Sequence, residues 1–297
     1  MSARILIVDD MLPSIKVLAA KLTGEYYQIL TATDGPSALE IIGNEDPDLV
    51  LLDIMMPGMD GLEVCRRIKN NPQTNHIPVV MVTVLSDSSD RVRGLEAGAD
   101  DFLTKPVSDD ILFARVSSLL RLKRVLDQWR LPGETTEKLA CLPVGDSHFA
   151  ESAGGARLVL VDENPIESAD IQDLLAGDKD IVTVCGFAAA LDTIGETDPE
   201  VAIIGFPGEG DKPLRLCAQL RAQVKTRLLP ILLIGGEENL DQLIKSLDLG
   251  VNDYLVRPLD TPELLARVRA QVRRRRDQER LHARFLHSLT LAHIDTP

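Results

Sequence analysis

The second half of the chain repeats the first. Three segments reappear with recognisable sequences: DPDLVLLD (46–53) and DPEVAIIG (198–205), IPVVMVT (77–83) and LPILLIG (229–235), AGADDFLTKP (97–106) and LGVNDYLVRP (249–258). In all three matches the corresponding residues are 152 positions apart: Asp53 and Gly205, Pro78 and Pro230, Lys105 and Arg257. Unrelated strands would not keep one spacing over such a length, so the chain is predicted to contain a duplicated domain.

Within the first copy, apolar strand-like runs alternate with helical patterns. The runs RILIVD, YQILTA, DLVLLD, IPVVMVT and DDFLTK are each followed by a segment with helical periodicity. They are continuous rather than alternating, which is typical of a parallel sheet covered by helices on both faces. This order predicts a doubly wound α/β domain, and RLVLVDE (157–163) begins the second one.

Composition narrows the class of protein. A chain of 297 residues has room for two domains, and its net charge of −14 argues against nucleic acid as a partner. It has no apolar run of about 20 residues, so membrane insertion is not predicted. MSARILIVDD shows no secretion signal, and the four cysteines form no CxxC pair. These features predict a soluble protein of the reducing cytoplasm.

Three carboxylates are predicted to converge at one edge of the first sheet. Asp9 and Asp10 end the first strand and Asp53 ends the third. Carboxyl ends of parallel strands share an edge, where ligands of doubly wound sheets bind. Like charges in one crevice repel, and Mg²⁺ relieves that repulsion by binding a few carboxylates together with water and phosphoryl oxygens. We expect Asp10 and Asp53 to bind Mg²⁺ directly, Asp9 through water, and the backbone carbonyl of Met55 to supply another ligand.

Two further strand ends suit a phosphoryl group. Thr83 ends the fourth strand and Lys105 ends the fifth. A lysine ammonium and a threonine hydroxyl both donate to phosphate oxygens, and with Mg²⁺ they would stabilise the charge of phosphoryl transfer. The prediction is therefore that Asp53 becomes an aspartyl phosphate.

This set of residues resembles the receiver domain of two-component response regulators. The matching residues are Asp9-Asp10, Asp53 with the following MMPGMDG, Thr83 and Lys105-Pro106. The resemblance implies a flavodoxin-like strand order 2-1-3-4-5, phosphorylation by a histidine kinase or phosphotransfer protein, and a cis Lys105–Pro106 peptide. It also implies a switch aromatic, here Phe102. Val84 departs from the family, which usually has a small residue after the switch threonine.

The second copy lacks the residues that phosphoryl chemistry needs. It keeps Asp162 and Glu163, which are interpreted as a helix-capping or solvated remnant. The other positions of the crevice hold Gly205, Gly235 and Arg257. Glycine has no side chain to phosphorylate, so this copy is predicted to be a receiver-like fold kept for contacts.

The predicted domains are a phosphoacceptor receiver (1–127), a linker (128–156), a receiver-like domain (157–272) and an exit helix (273–297). In the last part, Leu264, Leu265, Val268 and Val272 form a predicted buried stripe. Arg273 to Arg276 are predicted to be solvated or to face a partner. Three histidines nearby lack the spacing of a helical metal pair.

The whole arrangement resembles PleD-type response regulators, in which the exit helix leads into a GGDEF diguanylate cyclase domain. LAHID (291–295) matches the entry to that domain, and no GGDEF signature follows in these residues. The predicted function is therefore a non-enzymatic binding switch, or alternatively the regulatory portion of a diguanylate cyclase. A phosphatase is disfavoured, because Met55 stands where such enzymes commonly carry a second acid.

Phosphorylation is predicted to promote homodimerisation. A phosphoryl oxygen that draws Thr83 inward would leave space for Phe102 to rotate inward. The surface near the fourth and fifth helices carries charges of both signs, which suits a two-fold contact. The residues concerned are Asp87, Asp90, Asp100, Asp101, Phe113, Arg115 and Arg121.

Overall fold

The computed structural model describes residues 2–84, 88–129, 155–175, 179–208 and 210–294. The chain divides into two compact units, Met1–Phe149 and Ala150–Pro297. Most of the predicted linker, residues 130–154, lies outside the described residues, as do Asp87 and the end of LAHID. The exact domain boundaries stay a prediction.

The first unit alternates strands and helices as its sequence predicts. Its elements are β1 (Arg4–Val8), α1 (Leu12–Gly24), β2 (Gln28–Ala32), α2 (Gly35–Glu45), β3 (Leu49–Leu52), α3 (Gly61–Asn70), β4 (Val79–Thr83), α4 (Ser88–Glu96), β5 (Asp101–Thr104) and α5 (Asp109–Asp127). All strand pairs are parallel, in the order β2-β1-β3-β4-β5. The flavodoxin-like order 2-1-3-4-5 is thereby confirmed.

The sheet has an apolar layer on each face. Leu6 and Val8 pack in a cluster with α2 and α3. Ile5 and Ile7 point to the other face and pack with α1 and α5. Successive strand residues point to opposite faces, so a strand covered on both sides must be apolar throughout. This explains the continuous apolar runs.

The second unit repeats the architecture. Its elements are β6 (Ala156–Val161), α6 (Pro165–Leu175), β7 (Lys179–Val184), α7 (Phe187–Thr197), β8 (Val201–Gly205), α8 (Lys212–Ala222), β9 (Ile231–Gly235), a 3₁₀ turn (Glu237–Asn239), α9 (Leu240–Ser246), β10 (Asp253–Val256) and α10 (Thr261–Ile294). The sheet order β7-β6-β8-β9-β10 is again 2-1-3-4-5.

Both units also share their internal polar contacts. Asp101 of β5 pairs with Arg115 of α5, and 152 positions later Asp253 pairs with Arg267. Thr74 donates to the Ile68 carbonyl at 2.8 Å, as Thr226 does to that of Leu220 at 2.7 Å. The second unit lacks the phosphoacceptor, so a contact that it shares with the first unit is not needed for phosphoryl chemistry. We therefore attribute these shared contacts to the stability of the fold.

These pairs correct the predicted dimer surface. Asp101 and Arg115 are buried, with side chains only 5% exposed, and neutralise each other within the unit. Asp100 also pairs internally, with the Lys69 ammonium at 2.7 Å. The prediction that these charges meet a second copy was wrong, because the side chains of α5 that face β5 point into the unit.

Helix α10 is continuous across the predicted boundary at residue 273. Leu264, Val268 and Val272 are buried and Leu265 packs beside them, which confirms the predicted stripe. Arg275 and Arg276 are not simply solvated: Arg276 pairs with Glu200 at 2.7 Å and Arg275 with Glu279 at 2.7 Å.

Candidate functional site

The predicted carboxylates lie together at the carboxyl edge of the first sheet. Asp9 follows β1 and Asp53 follows β3, and these strands are hydrogen-bonded neighbours. The backbone N–H of Asp53 donates to the Val8 carbonyl at 2.9 Å. Ligand oxygens of Asp9, Asp10 and Asp53 lie within 4.8 Å of one another. Asp9 and Asp53 are buried, whereas Asp10 is exposed.

Lys105 bridges the two buried carboxylates. Its Nζ lies 2.6 Å from Asp9 Oδ2 and 2.9 Å from Asp53 Oδ2. Its backbone N–H donates to the Thr83 carbonyl at 2.8 Å, which fixes the end of β5 against β4. Burial by itself would lower the pKa of Lys105, but the hydrogen bonds and charges of Asp9 and Asp53 outweigh it and raise that pKa above its ordinary value.

The charges and donors of the crevice fit a divalent cation. Three carboxylates and one ammonium leave the group with a net charge of −2, which a divalent cation neutralises. The Met11 N–H donates to Asp9 Oδ1 at 2.8 Å, while the Met55 N–H is 3.4 Å from Asp53 Oδ1, a long contact. The exposure of Asp10 opens the cluster to water, and Mg²⁺ retains several waters in its coordination shell.

The remaining predicted residues lie around this group. Thr83 is fully buried at the end of β4, and Met55 is 59% exposed in the loop after Asp53. Val84 is 65% exposed directly after Thr83. The Lys105–Pro106 peptide is cis, as the resemblance implies.

Phe102 has a position that the sequence did not predict. It is 5% exposed and packs in the apolar cluster on the α2 and α3 face. A Cβ added to Gly94 of α4 would lie 3.7 Å from its ring. Phe102 is therefore part of the apolar core in this structure.

Gly61, the last residue of the MMPGMDG motif, has a steric role at the site that sequence reasoning did not assign. A Cβ at this position would lie 2.0 Å from the backbone oxygen of Asp53, closer than any real contact allows. Only glycine lets the first turn of α3 approach the acceptor in this way. The available signal was a glycine directly after Asp60, whose side chain caps α3 by accepting from the Glu63 N–H at 2.7 Å.

The corresponding crevice of the second unit is filled from within. Asp162 is 1% exposed, and its Oδ2 would be 2.1 Å from a Cβ added to Gly205. Arg257 turns to Glu167, with 2.6 Å between Nη2 and Oε2. Burial raises the pKa of Asp162, against the lowering effect of hydrogen bonding. Asp162 is thus not solvated: it is a buried carboxyl in the place of the missing acceptor side chain, and its Oδ1 accepts from the Asn164 N–H at 2.8 Å just before α6.

Comparison with known proteins agrees with this geometry. Residues 5–117 match the family model of the response regulator receiver domain. These residues are a response regulator receiver domain. Over 296 residues the chain is 41% identical to the response regulator PleD of Caulobacter vibrioides, covering 99% of this chain and 64% of PleD. The predicted likeness to PleD-type regulators is confirmed.

Receiver domains of known structure are also similar. The signal receiver domain of a signal transduction histidine kinase from Syntrophus aciditrophicus is 38% identical, covering 45% of this chain and 98% of that one, with a TM-score of 0.40. For the chemotaxis protein CheY4 of Vibrio cholerae the identity is 26%, the coverage 40% and 99%, and the TM-score 0.39. Among the helices described, none combines the length and apolar character that spanning a membrane requires.

Proposed function

We propose that this chain is the phosphorylation-controlled part of a two-component response regulator, with Asp53 as the phosphoacceptor. The observation that carries the proposal is the contact of Lys105 with both Asp9 and Asp53 beside the exposed Asp10. The second unit serves as an internal comparison. It keeps the buried pairs that hold the fold but has Gly205, Gly235 and Arg257 in the crevice.

In the proposed reaction a carboxylate oxygen of Asp53 forms a bond to phosphorus. The bond from phosphorus to the donor breaks, and the donor leaves with that electron pair. The Lys105 ammonium and the Thr83 hydroxyl donate to the phosphoryl oxygens. Asp9, Asp10, Asp53 and the Met55 carbonyl would hold Mg²⁺, which supplies positive charge for the same oxygens when it is bound.

The proposed phosphodonor is a histidine kinase or a phosphotransfer protein. Several large apolar side chains in the loops around the crevice and at the start of α1 are exposed, and they offer such a partner an apolar contact beside the acceptor. These are Met11, Leu12, Met55 and Val84. Cytoplasmic location stays a prediction.

Labelling decides the proposal. The protein is incubated with acetyl phosphate and Mg²⁺, and the modified peptide is mapped by mass spectrometry. Phosphate is expected on Asp53 alone and is lost in Asp53→Asn. Asp60→Asn, in which asparagine can still cap α3, is the matched control and should be labelled normally. Labelling of Asp162, or undiminished labelling of Asp53→Asn, would contradict the proposal.

The second candidate is the regulatory portion of a diguanylate cyclase, as the PleD-type resemblance implies. It is favoured because the chain is 41% identical to the response regulator PleD over 296 residues. Reading the gene beyond the codon for Pro297 tests it directly: a GGDEF-encoding segment in frame would support it, and a stop codon there would refute it.

A further inference from the structure

Lys21 connects α1 to the loop that follows β5. Its Nζ donates to the Val107 carbonyl at 3.0 Å and lies 2.5 Å from the Asp109 carboxylate. A helical side chain extends toward the N-terminus of its own helix. Lys21 therefore reaches back toward the end of α1 that follows Asp9 and Asp10.

The loop held by Lys21 is the one that carries Lys105. Only three residues, 106–108, separate Lys105 from the first residue of α5. The backbone N–H of Lys105 is fixed by Thr83, and Pro106 has no N–H to donate. The contact with Val107 thus restrains the loop from a second direction, two residues beyond the lysine that meets Asp53.

The second unit shows that the fold does not need this lysine. In α6 the buried residues Ile171 and Leu175 correspond to Leu18 and Leu22 of α1, each 153 positions earlier. At the same spacing Lys21 corresponds to Leu174, which packs against the core.

The partner of Lys21 is missing from the second unit as well. Asp109 is replaced by Thr261, 152 positions later. The unit without a phosphoacceptor therefore lacks both members of the ion pair between Lys21 and Asp109, although it forms the same helix on the same face of its sheet.

We propose that Lys21 is a positioning residue for phosphoryl transfer. By holding the carbonyl of Val107 it keeps the loop closed against α1, and the Lys105 ammonium stays in reach of Asp53 and of the incoming phosphoryl oxygens. This role rests on the proposed function of Asp53. It also requires that Lys21 contribute to the rate of transfer and not to cation binding, because Asp9 and Asp10 follow β1 and Asp53 follows β3, and none of them belongs to the loop that Lys21 holds.

The test compares three variants of the full chain. Lys21→Met removes the donor, Lys21→Arg retains one, and Lys16→Met removes the same charge from an exposed position of the same helix. The phosphorylation rate with acetyl phosphate at saturating Mg²⁺ and the Mg²⁺ dissociation constant are both measured. Lys21→Met is expected to slow phosphorylation about tenfold, because catalytic groups displaced by a fraction of an ångström lose rate steeply.

The dissociation constant for Mg²⁺ should stay unchanged in Lys21→Met. Lys16→Met should react like the wild type, and Lys21→Arg should recover most of the rate. A wild-type rate for Lys21→Met would overturn the inference, as would a parallel loss of Mg²⁺ affinity, which indicates general loosening of the unit. Wild type and Asp53→Asn are assayed alongside: an unlabelled wild type refutes the proposed function itself, whereas equal labelling of wild type and Lys21→Met refutes only the role of Lys21.

Discussion

Asp9 and Asp53 are buried side by side, and this arrangement is costly for the folded protein. A buried carboxylate needs a partner, because removal from water penalises its charged form. Lys105 provides one positive charge for the two of them, and Asp10 adds a further negative charge at the surface. Binding of a divalent cation follows from this imbalance at the level of single residues.

Replacement of Asp10 by asparagine should weaken Mg²⁺ binding. The change removes one of the charges that attract the cation while leaving the buried pair in place. The Mg²⁺ dissociation constant, measured by calorimetry, should rise on the order of tenfold or more, and phosphorylation should slow at limiting Mg²⁺. Glu40→Gln, an exposed change on α2, is the control. Equal affinity of Asp10→Asn and wild type, or an unchanged phosphorylation rate in excess chelator, would rule this out.

An aspartate at position 205 should not restore an acceptor. Its Cβ would occupy the space of the Asp162 carboxylate, and Arg257 is turned toward Glu167. We expect Gly205→Asp to lower the free energy of unfolding by about 1–3 kcal/mol and to add no second phosphate. Intact-mass spectrometry after acetyl phosphate treatment checks the second expectation, and a doubly phosphorylated species would contradict it.

At the scale of elements, the strands and their order followed from the sequence for a physical reason. Continuous apolar runs that alternate with helical segments are typical of a parallel sheet covered on both faces, and such a sheet brings its carboxyl ends to one edge. This is why Asp9, Asp53 and Lys105 could be placed together from sequence alone. Their positions alone do not establish their roles in phosphoryl transfer, and these roles stay a proposal.

The directions in which individual side chains point could not be predicted from the sequence. Arg115 was expected at the surface because arginine is rarely buried, yet its helix turns it toward Asp101. Asp162 was expected to cap a helix or to be solvated, but it is buried and fills space that Gly205 leaves open. Both outcomes depend on contacts between elements far apart in the chain, and residue type and spacing do not encode them.

The pair of Asp101 and Arg115 should be a main support of α5 on the sheet. Removing one member of a buried ion pair leaves the other charge uncompensated and costs about 3–5 kcal/mol. Arg115→Ala is therefore expected to lower the stability of the first unit by about that amount. Chemical denaturation followed by the fluorescence of the single tryptophan, Trp129, two residues after α5, measures it.

Arg124→Ala is the matched control for that experiment. Arg124 lies on the same helix and is exposed, so its loss should change stability little. If Arg115→Ala unfolded at the same denaturant concentration as Arg124→Ala, the buried pair would have no role in holding α5.

For the whole molecule, phosphorylation is predicted to promote self-association. Asp100, Asp101 and Arg115 form ion pairs within the first unit, and Arg121 is exposed on α5. Coupling between two sites of about 1–3 kcal/mol would strengthen a dimer some 5- to 150-fold. Light scattering over a concentration series, with and without beryllofluoride as phosphoryl mimic, measures the change.

An identical dimer dissociation constant with and without beryllofluoride would mean that a different partner binds the phosphorylated form. Asp53→Asn should show no response to the mimic.

Because α10 is continuous, it also fixes the rotation of each residue about the helix axis. Its 34 residues extend about 50 Å, and each residue turns the helix by about 100°. The direction faced by a residue of α10 is therefore fixed, relative to the sheet of the second unit, by the number of helical residues before it. One inserted residue would redirect everything beyond it by more than a quarter turn, whereas seven would restore the original direction to within about 20° and add about 10 Å of reach. The number of residues in this helix therefore sets both the distance from the second unit and the direction about the helix axis.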